Sequence, residues 1–267
     1  RSRLEIQHNL VRYVTRRNHF AQLSSPKRIL DVHTGTGIWM REVADEFPDC
    51  CFIGLDSRPG LYKSSTMPSN CHWLPGDIAE GSTRDLEKEG PFDMIIHRFQ
   101  AFFLPATSWD HVLNQLRHLI TPEGHLELHE TDLAIVHPGP MGKRVNEWLV
   151  HMCHNRSIIP SFPQDLEGPL VNAGFHQIRR REISFAVGEW AGVPGDMMLR
   201  NIRGILTGFL RDNLVIPGLV PANHFDSTVQ LWEEECERLH SCVRVYFYTA
   251  RPNPLHPIPQ KEARTRP

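Results

Sequence analysis

Ten residues, Arg28-Ile-Leu-Asp-Val-His-Thr-Gly-Thr-Gly37, restrict the folds open to this chain more than any other stretch. Ile29, Leu30 and Val32 supply the β-branched and aliphatic residues of a short buried strand, and Pro26 marks where the preceding segment ends. Gly35 and Gly37 then break the strand. With no Cβ at either position a ligand can approach the turn closely, and the helix that follows offers it unpaired backbone N–H groups. Taken alone, these residues fit a generic strand-to-helix connection as well as a nucleotide-type site, so the rest of the chain must decide.

The chain has 267 residues, 40% apolar and 22% charged, which suits one sizeable α/β domain with additions or two small ones. With 29 basic against 31 acidic residues it carries no overall field to recruit nucleic acid or an anionic membrane, so no direct nucleic-acid binding is expected. Arg16-Arg17, Arg179 to Arg181 and the tail residues Lys261, Arg264 and Arg266 read as solvated faces. No apolar run is long enough to span a bilayer and no signal-peptide pattern opens the chain, so membrane insertion is not expected. Six cysteines, at 50, 51, 71, 153, 236 and 242, form no Cys-x-x-Cys pair and read as reduced thiols of an intracellular protein, cytoplasmic or nuclear. His151, Cys153 and His154 cluster without zinc-site spacing, so no metal is expected.

In chain order, residues 4 to 23 read as a helix with a partial stripe of Leu4, His8, Val11, Val14 and Phe20, lying as a lid or flank. After Gly37, Trp39, Met40, Val43, Ala44 and Phe47 share one helical face, stopped by Pro48-Asp49. Cys51 to Leu55 is a second buried strand ending at Asp56, 19 residues past Gly37, where an acidic residue accepts hydrogen bonds from ribose hydroxyls or simply caps the next turn. A third strand, Cys71 to Leu74, leads to Gly76-Asp77-Ile78, with a polar residue placed to meet an adenine amino group. Asp85 to Gly90 closes a short charged helix, and a fourth strand, Phe92 to Ile96, ends at His97 and Arg98. Val112, Leu113, Leu116, Leu119 and Ile120 form a helical face stopped by Thr121-Pro-Glu-Gly124, and Leu126 and Leu128 begin a fifth strand. Five strands alternating with helices predict a parallel, doubly wound sheet with its ligands at the strands' carboxyl ends.

The second half departs from this alternation. Pro138, Gly139, Pro140 and Gly142 form a linker, and Val145, Trp148, Leu149 and Met152 a helix over the sheet, in an insertion of about 142–156. Pro163 to Gly174 is a short helix, Phe175 to Val187 a long strand and Ala191 to Asp196 a loop, before a helix carrying Met198, Ile202, Ile205, Leu206, Phe209 and Leu210. Phe225, Val229, Trp232, Cys236 and Leu239 make an amphipathic helix, read as packing within the fold in preference to a dimer seam because the pattern lasts only two heptads. Val243 to Thr249 alternates as a last, antiparallel strand. The organisation expected is a helical flank over 1–26, a domain over 27–252 with a second helical insertion over 189–240, and a tail over 253–267.

The ordered set Ile29 to Trp39, Asp45 to Pro48, Ile53 to Asp56, Phe92 to Arg98, Leu116 to Leu128, Ala173-Gly-Phe175 and Tyr246 to Pro252 resembles the class I S-adenosylmethionine-dependent methyltransferases, and within them the fungal LaeA-like branch with its velvet-associated and VipC/VapB-type regulators. The resemblance implies an α/β, Rossmann-like, doubly wound seven-stranded sheet with an antiparallel last strand and helical additions. It implies S-adenosyl-L-methionine as cofactor, with Asp31, His33, Gly35 and Gly37 at its methionine end, Asp56 on the ribose, Asp77 and Ile78 at the adenine, and His97 with Arg98 beside the sulfonium and the acceptor. His33 stands where the family pattern has its first glycine. A side chain there narrows the methionine pocket or demands a φ that histidine tolerates poorly, which bears on cofactor affinity and not on the fold.

Methyl transfer from a sulfonium is an in-line displacement that needs positioning above all, and a base where the acceptor must lose a proton. His97, His129 and Glu130, at predicted strand ends, are the candidates, each equally readable as a buried structural group. The expected function is methyl transfer to a protein or small molecule in the regulation of fungal development or secondary metabolism. The alternative is a regulatory subunit of the same fold that binds a protein partner, either velvet-type or a second methyltransferase subunit. A nicotinamide oxidoreductase is set aside because the turn lacks the third glycine of that fingerprint.

Overall fold

Seven strands share one sheet, and helices on both of its faces account for the apolar runs seen in the sequence. The structure, a computed structural model, describes residues 2–62, 64–81 and 84–255. The strands β1 (Arg28–Val32), β2 (Cys51–Asp56), β3 (Cys71–Pro75), β4 (Phe92–Arg98), β5 (Ile120–Thr131), β6 (Phe175–Ala186) and β7 (Cys242–Pro252) lie in the order β3-β2-β1-β4-β5-β7-β6. The first five are parallel, and β7 runs antiparallel between β5 and β6. This is the seven-stranded Rossmann-like α/β sheet expected.

The helices are α1 (Arg3–Thr15), α2 (Ile38–Ala44), α3 (Arg84–Glu89), α4 (Trp109–Leu119), α5 (Pro140–Asn155), α6 (Glu167–Asn172), α7 (Val193–Ile205), α8 (Arg211–Leu214) and α9 (Ala222–Leu239). Neighbouring residues of β1 enter opposite layers: Ile29 joins Trp39, Met40 and Val43 of α2, and Leu30 joins Leu113 and Leu116 of α4. A third layer, from α1, α5, α7 and α9, covers Val243, Val245 and Phe247 of β7. Where both faces are covered, as on β1, β2 and β4, the strands show no polar alternation, whereas β6 at the sheet edge exposes residues 179–182.

Several boundaries differ from expectation. The helix read over residues 4–23 stops at Thr15, with Arg16 in the left-handed region at φ 58°. Phe20 lies beyond it, because the N–H groups of Phe20 and Ala21 each donate to the buried Glu127 carboxylate at 2.9 Å and are withdrawn from any helix. Thr121 to Gly124 does not separate helix from strand. β5 already starts at Ile120, opposite Phe92, and a register shift before the Met94–His125 pair absorbs the proline and glycine.

The helix expected over Pro163–Gly174 is a 3₁₀ turn, Phe162–Gln164, followed by α6. The loop expected over Ala191–Asp196 contains the first turn of α7, where Pro194 needs no N–H partner, and Pro140 opens α5 in the same way. On α9, Phe225, Val229, Trp232 and Cys236 are buried within the chain's own core, and Trp148 of α5 stacks on Phe225 with ring centroids 5.0 Å apart. The expected tail lies, from residue 256 on, outside the described residues. Among the described residues no helix is long and apolar enough to cross a membrane, and no three His, Cys, Asp or Glu side chains are placed to hold a metal ion.

Candidate active site

Carboxyl ends of β1, β2 and β4, the segments after them and the roof helix α1 enclose a cavity of about 240 Å³. The turn after β1 forms its polar wall. His33, Gly35 and Gly37 all have positive φ, 56°, 57° and 73°, so alternate residues of this turn sit in the left-handed region. That conformation is open to glycine and only narrowly to other residues, of which histidine is one of the more tolerant. Gly35 lines the cavity, and a Cβ on it would lie 2.9 Å from the Leu4 side chain of α1. Gly37 packs instead on the Tyr62 ring.

The His33 ring reaches across to Asp77, donating from Nε2 to Oδ1 at 3.3 Å, and its centroid lies 5.2 Å from that of His97. The hydrogen bond from His33 holds the Asp77 carboxyl below the usual range, against the pull of burial. Asp77 also accepts from the Ala79 N–H at 2.8 Å and faces the cavity, whereas Ile78 is fully buried behind it. Asp31 is buried with one oxygen accepting from Thr34 Oγ1 at 2.7 Å and lying 3.9 Å from Arg98 Nη2. Burial raises its pKa, opposed by Arg98 and Thr34.

Asp56, at the end of β2, is fully buried and fully engaged. It accepts from the Gly35 N–H at 2.9 Å, the Arg58 N–H at 2.9 Å, and Arg58 Nε and Nη2 at 3.1 and 3.3 Å. Burial would raise its pKa, and the hydrogen bonds from Arg58 and Gly35 bring it below the ordinary value. Arg58, not Asp56, forms the cavity wall here.

Arg98 lines the cavity, with Nη1 3.4 Å from His8 Nδ1 on α1. Burial, and then Arg98, push His8 down to about 4, so its ring is neutral and faces Glu42 with Nε2 at 3.1 Å. His97 lies behind the wall, between His33 and Trp109, with neither ring nitrogen hydrogen-bonded and Nδ1 3.5 Å from Glu130 Oε1. Burial drives its pKa well down.

Of the three base candidates only Glu130 lines the cavity. Its oxygens accept from the N–H groups of Gln100 and Ala101 at 3.1 and 3.0 Å, and burial pushes it up to about 8 despite them. His129 is packed among Phe20, Phe99 and Phe247 and donates to Glu127 at 2.6 Å. The structure thus gathers His33, Gly35, Asp77, Arg98 and Glu130 on one cavity, with Asp31, Gly37, Asp56, Ile78 and His97 in the layer behind.

Sequence reading missed Arg58, the α1 residues Arg3 and Gln7, and an apolar wall of Phe99, Phe102, Phe103, Leu133, Ile205 and Phe209. The weak stripe of the first helix, read as a lid, hinted at some of these, and the helical stripe that holds Ile205 and Phe209, in the insertion where a substrate or a partner could be read, hinted at others.

The chain matches the family model described as "Methyltransferase domain" over residues 4–179. It is 27% identical over 203 residues to "Methyltransferase pytC" of Aspergillus terreus, an alignment covering 72% of this chain and 60% of pytC, so the chain spans about three fifths of that relative. It is 34% identical to "Secondary metabolism regulator laeA" of Aspergillus flavus over 73 residues only, 27% of this chain and 19% of laeA. Among solved structures, phosphoethanolamine N-methyltransferase 2 of Haemonchus contortus, in complex with phosphomonomethylethanolamine and S-adenosylhomocysteine, superposes with a TM-score of 0.57 at 15% identity, covering 92% of this chain and 52% of that one.

S-adenosylmethionine is the cofactor of this family and fold, and the residues present fit it. Asp31 Oδ1 and His33 Nδ1 are buried without a hydrogen-bond partner at the turn, and Gly35 leaves the backbone open to close approach. The family match runs from α1 through the five parallel strands into β6, more than half of the chain and the whole polar wall of the cavity, and on that match the chain belongs to the class I methyltransferase-domain family.

Proposed function

We propose that the chain is an S-adenosylmethionine-dependent methyltransferase of the LaeA-like type, transferring a methyl group to an acceptor in fungal secondary metabolism or its regulation. The observation that carries this is the turn of residues 33–37, whose left-handed backbone, open glycine and unpaired buried polar atoms face a cavity at the carboxyl ends of parallel strands. When bound, the cofactor supplies an electrophilic methyl group on a sulfonium. Asp31 and the backbone of the turn, with Arg98, would hold its methionine end, Asp77 and Ile78 its adenine, and Asp56 its ribose once Arg58 moves aside. The 73-residue likeness to laeA supports the setting in secondary metabolism, and the longer one to pytC supports methyl transfer. Calorimetric titration with S-adenosylmethionine tests the reading. Micromolar binding lost in Asp56→Ala supports it, and no binding at high micromolar concentration would sink it.

A second reading is favoured by Arg58, which occupies both oxygens of Asp56, and by His33 in the turn. In it the fold is a regulatory subunit that binds a protein partner, velvet-type or a second methyltransferase subunit, with little catalysis. It requires a complex in pull-down whose function survives Asp56→Ala.

A further inference from the structure

Beside its polar wall the cavity has an apolar one, built by the segment after β4 and by the end of α7. Phe103 and Phe209 meet at its outer rim with ring centroids 5.3 Å apart and planes tilted by 59°, and Phe103 is 39% exposed. Phe209 belongs to a π-helical turn, Leu206–Leu210, that continues α7. Such turns carry an extra residue, are rare, and concentrate at functional sites. Here Leu206 and Leu210 are buried in the core while Phe209 faces the cavity.

The charges around this wall discriminate between acceptors. The Arg156 guanidinium lies 4.9 Å over the Phe209 ring and has no acidic partner among the described residues. It covers one of the two faces of that ring, and Arg3, Arg58 and Arg98 line the cavity itself, so an ammonium acceptor meets like charges around the wall. Glu130, the acid of this region, has both oxygens held by backbone N–H groups and offers no free countercharge. An aromatic molecule that carries a negative oxygen gains from both features, stacking on phenylalanine and attraction to the arginines of the cavity and, at longer range, to Arg156.

Resting on the donor-site reading above, we propose that this wall is the acceptor site and takes a small planar aromatic molecule with an acidic hydroxyl, a phenol or enol. The acceptor gives its hydroxyl proton to bulk water and enters as the oxyanion. An oxygen lone pair forms the O–CH₃ bond as the carbon–sulfur bond breaks, and that bond's electron pair stays on sulfur, cancelling its positive charge. No protein base is needed, in keeping with a Glu130 that is tied down and a His129 committed to Glu127.

The test uses the full chain, S-adenosylmethionine and 2-naphthol as probe acceptor, with ethanolamine and a lysine-containing peptide as comparators and product read by mass spectrometry. The expected result is methylated naphthol, at a rate that rises with pH as the naphthol ionises. Phe209→Ala should raise KM for naphthol about tenfold, the worth of one stacked ring. The exposed Arg156→Glu, which does not touch the core, should raise it in the same direction, and Arg156→Lys should restore much of it. S-adenosylhomocysteine binding should stay unchanged in all three. Transfer to ethanolamine or to the peptide in place of naphthol, an unaltered KM in Phe209→Ala and Arg156→Glu, or donor binding without any naphthol turnover overturns the proposal while leaving the donor site standing. Absence of donor binding in the unmodified chain overturns both.

Discussion

Arg58→Ala is the substitution that most directly opposes two consequences of one contact. Arg58 gives Asp56 two side-chain hydrogen bonds, 3.1 and 3.3 Å, besides its backbone N–H, and the carboxylate that receives them is completely buried. A hydrogen bond to a charged group contributes about 1.5–3 kcal/mol. The guanidinium side chain is 58% exposed, so the worth of the pair falls toward that of a surface contact, and about 1–2 kcal/mol is a fair figure for it.

If ribose hydroxyls take the place of the guanidinium on Asp56, that same free energy opposes cofactor binding in the unmodified protein. Removing the side chain should then tighten S-adenosylhomocysteine about 5- to 30-fold, while lowering the stability of the ligand-free protein by about 1–2 kcal/mol. Titration calorimetry and urea unfolding measure the two on one preparation, and Arg58→Lys separates the forked geometry from the charge. The two quantities must move in opposite directions. If affinity falls together with stability, Arg58 is a contact to the cofactor and not its competitor, and the reasoning fails.

Three other expectations rest on single buried groups. Glu127→Ala leaves the N–H groups of Phe20 and Ala21 without their acceptor and His129 without its partner, and should cost about 3–5 kcal/mol in urea unfolding, with new proteolysis between residues 16 and 27; a loss below about 1 kcal/mol would contradict the anchor. At position 33, with φ 56°, Ala should be about 1 kcal/mol less stable than Gly, since both lose the bond to Asp77 and only Ala keeps a Cβ in the left-handed region; equal stabilities would remove the conformational argument. Glu130, raised from 4.5 to about 8 in the folded protein, makes the native state the better proton binder between those values. Stability should therefore fall as pH rises through that window, and the difference in Tm between the unmodified protein and Glu130→Gln should carry the slope; a difference independent of pH between 5 and 8 would contradict the shift.

The half of the fold made of parallel strands was legible because its physics is local. Ile29, Leu30 and Val32, or Phe52, Ile53 and Leu55, must be apolar in succession when helices cover both faces, and Gly35 and Gly37 announce a turn with positive φ wherever it lies. Polar groups at strand ends were legible for the same reason, since spacing alone puts Asp56 and Asp77 beside that turn. The apolar wall was not, because Phe103 and Phe209 are 106 positions apart and a phenylalanine bound for a cavity looks like one bound for a core. Pro194 and Gly195 read as loop although the first turn of a helix accepts both, and Arg16 ends a helix with no proline or glycine to mark it. Nothing in the local pattern records that Glu127 will claim two N–H groups 106 and 107 residues away.

That last contact belongs to a recurring device. Glu127, Glu130 and Glu235 are each buried, and each holds two consecutive backbone N–H groups at the start of a segment: Phe20 and Ala21, Gln100 and Ala101, Met141 and Gly142. A segment outside a helix or strand, or the first turn of a helix, leaves such donors unpaired, and a carboxylate satisfies a pair of them at once. Residues 127 and 130 differ in parity, so β5 presents the two acids on opposite faces. His129 shares the face of Glu127 and completes its shell at 2.6 Å. On one face the strand pins the return from α1, the roof of the cavity; on the other it pins the start of residues 100–104, which carry the aromatic rim. A base at position 129 or 130 would have to leave one of these anchors to act, which is why the acceptor inferred here is one that brings its own acidity.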